Sequence, residues 1–365
     1  MKTIAIAVLI ALLSLAALVG TTTAVVSADV AREAKDDAEA ATKNASPKGH
    51  AVAPTQATDG LISYAGQTAE NAEELIAARE PFPAELPAVP EGDVVDIELT
   101  LKDVVVEIAP GVEYSAWGFE GGAPGPAIHA REGQKVRITL TNGGAVPHSI
   151  DFHAARIAPD VAFKDVAPGD SFTFRFVAND PGVFMYHCGT KPVLAHIANG
   201  MYGAIVVSPA KPLPKADKEY VLVASEWYMS GDGLEQAASL DMPKARAMQP
   251  DWTTFNGYAN QYVTHPLTAD PGDTVRFYVV AAGPTLDTNF HVVGTIFDRA
   301  WLNGDMTQVQ RGVQTVGVPA GGGAVFDVKI DEEGLYPFVS HAFAHVDLGQ
   351  VGLLKVGSPT GTMGH

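Results

Sequence analysis

The chain has 365 residues, a formal charge of −18, 36 Gly, 25 Pro and a single cysteine. So acidic a chain excludes nucleic acid as a partner, because phosphate binding needs a basic surface. One thiol excludes an internal disulfide framework, and short apolar runs broken by Gly and Pro favour β-sandwiches over helical bundles.

The N-terminus is basic at Lys2 and then apolar to about Val26, with small residues for cleavage at Ser27 and Ala28. Residues 1–28 therefore read as a secretory signal peptide or, since the run is nearly of bilayer length, as an uncleaved membrane anchor. Either reading exports the rest of the chain, to a periplasmic or extracellular location. Residues 29–92 read as a linker, rich in Ala, Asp, Glu and Lys at first, with a short helix expected over residues 68–80 around Leu75 and Ile76.

From Asp93 the pattern alternates apolar and polar, as half-buried strands do, at residues 94–101, 135–141, 171–176 and 204–207. Turn signals at residues 167–170 and 180–182 separate these runs, so residues 93–209 read as one antiparallel sandwich. Pro209, Pro212 and Pro214 make a stiff linker. A second series, at residues 220–224, 274–280, 324–330 and 352–356, gives a second sandwich over residues 216–357. The halves echo each other, which indicates an internal duplication. The echo pairs His341 with His187, His291 with His148, and Ala342 with Cys188. Without a thiolate, the second sandwich is expected to hold no metal centre of the kind that Cys188 allows in the first, and His291 is expected in its core.

Residues 186–201 hold the only cysteine, Cys188, followed by His196 and Met201. A thiolate, an imidazole and a thioether around a tight loop form a soft ligand set, and such sets select copper. His148, from an earlier strand, supplies a second imidazole. One thiolate, two imidazoles and a weak axial thioether are the ligands of a blue-copper electron-transfer site.

Successive strand side chains face opposite ways. If Cys188 points into the sandwich, His187 points out. His148 and His153 are an odd number of residues apart, so they also face opposite sides, while Asp151 and His153 share one. The outer face therefore gathers Asp151, His153 and His187. A third imidazole, from His341 of another subunit, would give a three-histidine site with one open position, the pattern of a catalytic metal. Asp151 beside that position is placed to pass protons to a bound oxyanion.

These residues resemble the two-domain copper-containing nitrite reductases. The matching stretches are residues 124–126, 147–153, 183–188, 196–201, 255–257 and 338–341, and the resemblance covers roughly residues 93–357. It implies an all-β fold of two tandem cupredoxin-like Greek-key β-sandwiches. It implies type 1 copper on His148, Cys188, His196 and Met201, type 2 copper on His153, His187 and His341, and Asp151 as the catalytic aspartate. It further implies a homotrimer with the type 2 copper between subunits. The family's reaction is reduction of nitrite, a small anion, to nitric oxide, with electrons from a cupredoxin or cytochrome c.

There are departures. The resemblance implies a second catalytic histidine five positions after the residue that matches His291, and Ile296 stands there. His345 is the candidate substitute. The loop from Cys188 to His196 is one residue shorter than in many members. Two alternatives remain open. A two-domain, laccase-like multicopper oxidase reducing dioxygen needs His-x-His pairs, but Asp151, Gly294, Ile296 and Gly189 occupy their slots. A non-catalytic blue-copper electron carrier would leave the outer site vestigial. His50, His129, His265 and His365 fit no ligand pattern.

Overall fold

The computed structural model describes residue 66 and residues 68–302 and 306–359. The signal segment and the first part of the linker, to residue 65, lie outside the described residues, as do His50 and His365. Among the described residues, no helix is long and apolar enough to cross a membrane.

The first alternating runs become β1 (Val94–Ala109), β2 (Val112–Phe119), β3 (Ile128–Arg131), β4 (Lys135–Asn142), β5 (Asp151–Phe152), β6 (Ser171–Val177), β7 (Gly182–His187) and β8 (Tyr202–Ser208). They form two sheets, ordered β2-β1-β4-β6 and β3-β8-β7-β5. On β4, Val136, Ile138 and Leu140 are buried and their neighbours are not, as a two-residue period requires. They meet Leu99, Phe152, Phe174 and Tyr186 in the core between the sheets.

The second series becomes β9 (Lys218–Trp227), β10 (Met229–Ser230), β11 (Ser239–Leu240), β12 (Trp252–Phe255), β13 (Leu267–Ala269), β14 (Thr274–Gly283), β15 (Thr288–Val292), β16 (Arg299–Leu302), β17 (Val316–Val318), β18 (Gly323–Lys329), β19 (Gly334–Ser340) and β20 (Val351–Val356). Its sheets run β12-β9-β14-β18-β16 and β13-β20-β19-β15-β17, with β10 and β11 as a separate pair. Leu222, Phe277, Phe290, Phe326 and Phe338 fill the core.

The pairing plan repeats. β1 runs parallel to β4 as β9 does to β14, and β3 runs parallel to β8 as β13 does to β20. A close approach repeats too. A Cβ on Gly203 would sit 2.3 Å from the Tyr186 ring, and one on Gly352 would sit 2.1 Å from the Phe338 ring. In both sandwiches only glycine lets the aromatic ring cross the neighbouring strand.

The sandwiches share a third apolar cluster. Val183, Met185, Tyr202, Ala204 and Val206 on β7 and β8 pack against Val221, Val223, Tyr278, Val280 and Val325 of the second sandwich. Strand β7 is therefore buried on both faces. Met185 faces the second sandwich, and Tyr186 and Cys188 face the core of the first. This parity decides where His187 points.

The expected helix forms over Ala72–Ala78. The chain after it is a strap rather than a free linker. Val221 N–H donates to Ala84 O at 2.6 Å and Leu86 N–H to Glu219 O at 3.0 Å, in the second sandwich. Pro87 O then meets His129 Nδ1 at 2.6 Å, and Gln134 Nε2 donates to Gly92 O at 2.7 Å, in the first. This gives His129 a structural role that no sequence pattern assigned.

Candidate metal centres

The inner cluster lies at one end of the first sandwich. Cys188 Sγ is 3.3 Å from His196 Nδ1 and 3.9 Å from His148 Nδ1, and the two nitrogens are 3.0 Å apart. Cys188 and His148 are fully buried and His196 nearly so. Met201 is buried in the same core. Its N–H donates to His196 O at 3.3 Å and its carbonyl accepts from Cys188 N–H at 3.1 Å, so the loop folds back on the cysteine. Trp117 covers both rings, at centroid distances of 5.1 Å to His148 and 4.8 Å to His196.

Electrostatics suits these groups to a cation. Burial, and then the neighbouring His196, push His148 down to about 4, and burial also lowers His196. Both rings are therefore biased to the neutral form, in which an imidazole keeps one ring-nitrogen lone pair. Burial pushes the Cys188 thiol up, against the Ser149 and Thr190 donors. Ser149 N–H points at Sγ from 3.4 Å. A thiol held neutral by burial ionises when it gains a metal, and the donor set of one sulfur and two imidazoles fits copper.

The outer cluster begins one residue away. On β5 and β7, Asp151 lies opposite His187. His153 Nε2 is 3.0 Å from His187 Nε2, and Asp151 presents its carboxylate to the same place. The other ring nitrogens are occupied. His153 Nδ1 meets Gly321 O and His187 Nδ1 meets Cys188 O, each at 2.9 Å. Such carbonyl bonds fix the tautomer and leave each Nε2 lone pair facing the common point. Burial lowers His187, as does His153 beside it, while the Cys188 carbonyl and Asp151 act the other way. His187 and Cys188 thus serve two clusters through one peptide unit.

Two stretches of the chain match the multicopper oxidase family, residues 100–212 and 218–322. The copper-containing nitrite reductase of Neisseria gonorrhoeae is 41% identical over 268 residues, covering 72% of this chain and 68% of that protein. The chain belongs to the copper-containing nitrite reductase family. Among solved structures, a copper nitrite reductase from Nitrosomonas europaea aligns with TM-score 0.68 and 34% identity, over 74% of this chain and 98% of that one. A multicopper oxidase aligns with TM-score 0.64 and 28% identity, over 72% and 89%. Like these relatives, the chain is a copper-dependent oxidoreductase.

The second sandwich of this family member corrects the expectations for His291 and His345. His341 belongs to neither cluster within one chain. It stands exposed, 5.4 Å from the His291 ring and 4.9 Å from that of Phe343. His291 is not a core residue. Phe290 and Val292 take the core on β15, so His291 faces out by parity, with Nδ1 2.7 Å from Gln314 O. Ile296 is exposed. His345 does not project beside His341. It is half-buried, with Nδ1 3.1 Å from Ser340 Oγ, and it lines a small internal cavity.

The register of the echo also shifts. His187 pairs with Tyr202 and Asp151, while Val339 pairs with Val351 and His291. The counterpart of His187 is therefore Val339, that of Cys188 is Ser340, and that of Asp151 is His291. The sequence echo slipped because histidines were matched to histidines, whereas the ladder sets the true correspondence. The mirrored glycines, Gly203 beside Tyr186 and Gly352 beside Phe338, were the available signal.

Proposed function

We propose that this oxidoreductase reduces nitrite to nitric oxide, consuming one electron and two protons and releasing water. The observation behind this reading is the Cys188–His187 dipeptide, which gives one side chain to a buried soft site and the next to an open site with a carboxylate. Bound copper supplies one-electron transfer on the inner ligands and Lewis acidity on the outer ones. His148, Cys188, His196 and Met201 hold the inner metal, and their burial keeps water from it. His153 and His187 hold the outer one, with His341 of a second copy as third ligand in a homotrimer. Exposed apolar Phe343 against His341, with half-exposed Val293 on the same sandwich, supports such a covered edge.

Asp151 holds a proton for, and hydrogen-bonds, an oxygen of the small anion. Since His291 lies beside His341, it arrives at the outer site with it and takes the second proton-donor role. His345 takes none, because its ring is engaged inside the sandwich. The electron donor is a small cupredoxin or cytochrome c, and the protein acts after export, in the periplasm or outside the cell.

The test is nitric oxide formation from nitrite by the copper-loaded protein, with metal analysis. The expected result is two coppers per chain, nitric oxide production, and its loss in His291→Ala with copper retained. A fully loaded protein that makes no nitric oxide overturns the reading. Four coppers per chain with dioxygen consumption would place it with the laccase-like oxidases.

A further inference from the structure

The second sandwich keeps the frame of the inner metal site without its thiolate and one of its two imidazoles. In the first, Ser149 N–H points at Cys188 Sγ from 3.4 Å; in the second, Asn289 N–H donates to Ser340 Oγ at 3.2 Å. Cys188 Sγ lies 3.3 Å from His196 Nδ1; Ser340 Oγ lies 3.1 Å from His345 Nδ1. Met201 N–H donates to His196 O at 3.3 Å; Gln350 N–H donates to His345 O at 2.8 Å. The supports repeat as well. Ala145 N–H donates to Asp103 at 2.9 Å, and Leu286 N–H to Glu226 at 2.6 Å, each acid holding the loop before the first ligand position. Trp117 N–H donates to Asn199 O at 2.9 Å and Thr253 N–H to Leu348 O at 3.0 Å.

By this register Thr288 stands for His148, and Thr253 for the covering Trp117. Both are smaller, and beside them is a cavity of about 10 Å³ lined by Thr253, Thr288, His345 and Gln350 among others. Thr288 Oγ1 donates to Gln350 Oε1 at 2.7 Å, so hydrogen bonds knit together what a metal would otherwise join.

We propose that Thr288, Ser340, His345 and Gln350 are a converted metal pocket, the counterparts of His148, Cys188, His196 and Met201, which regains soft-metal binding when the thiolate and second imidazole are restored. One imidazole is already in place. Gln350 needs no change, because a glutamine oxygen can serve as the weak axial ligand of a blue-copper site. In the native chain the Ser340–His345 bond does the tying, and it anchors the residue next to His341.

The test uses the full chain with Cys188→Ala, which removes the native thiol and the inner site's colour. Adding Thr288→His and Ser340→Cys and titrating with Cu(II) should give a visible thiolate-to-copper absorption and one more copper per chain than Cys188→Ala alone. Both should vanish with His345→Phe. A protein with unchanged circular dichroism and no visible band overturns the proposal. If the paired substitution prevents folding, the near-isosteric Ser340→Cys alone decides, titrated with Cd(II). Thiolate-to-cadmium absorption should appear, with affinity falling about tenfold or more on His345→Phe. Affinity indifferent to residue 345 overturns the proposal. The readout is metal binding alone, independent of nitrite chemistry.

Discussion

The two sandwiches share a strand plan and even the glycine-for-ring crossings, yet one gathers a soft ligand set and the other does not. Where the first places Cys188 between two imidazoles, the second places Ser340 against one. Where the first has Asp151 on its outer face, the second has His291. The fold accommodates these exchanges because serine is nearly isosteric with cysteine, and because Asp151 and His291 both lie outside the apolar cores of their sandwiches. Each sandwich therefore specialises through a few side chains on a common frame. The first gathers a thiol and two imidazoles inside and two imidazoles outside, while the second presents His341 and His291 away from its core, with a hydrogen-bonded pocket behind them.

The largest contrast comes from the paired positions. Cys188→Ala should abolish the visible absorption and lower turnover by about a thousandfold or more, as loss of an essential group does. Ser340→Ala should leave the absorption unchanged; if it bleaches the protein, the two pockets are not independent. Next, Asp151→Asn should lower kcat by about 10²–10⁴-fold with both metals retained, which is the range for a lost general acid. Steady-state kinetics with metal analysis checks it, and a change confined to KM would make Asp151 a binding residue only.

Smaller effects sharpen the structural half of the comparison. Gly203→Ala and Gly352→Ala should each destabilise by about 1–3 kcal/mol, since both force a ring away from the strand it crosses. Urea unfolding measures this, and a tolerant member of the pair would break the equivalence. The smallest effect is on pH dependence. Burial lowers His345 below its ordinary 6.5, against the bond to Gln350. The unfolded chain then binds the proton more readily, so stability falls as pH drops below about 6.5 and levels off below the folded value. His345→Gln should remove that component, seen as a shallower pH slope of the melting temperature than in the parent.

Much of the site was legible in the sequence. The one cysteine with His196 and Met201 behind it named a soft metal, and strand parity separated Cys188 from His187 without coordinates. Asp151 and His153 followed from the same rule. The second sandwich was read less well. Its histidines invited alignment with those of the first, but the ladder pairs Val339, not His341, with the place of His187. His345, the candidate substitute for the missing catalytic histidine, is half-buried and bonded to Ser340 inside its own sandwich. The strap over residues 79–92 had no period to reveal it, because it is held by backbone and side-chain bonds to groups far away in sequence.

The sequence by itself determined ligand chemistry, the all-β class and the opposite facing of Cys188 and His187, since these depend on side-chain type and a two-residue period. Tertiary structure alone decided which residues of the two halves correspond, and which histidines turn inward. Those follow from hydrogen-bond register and from the covering of one sheet by another, which join positions well separated in the chain and leave no local mark on it.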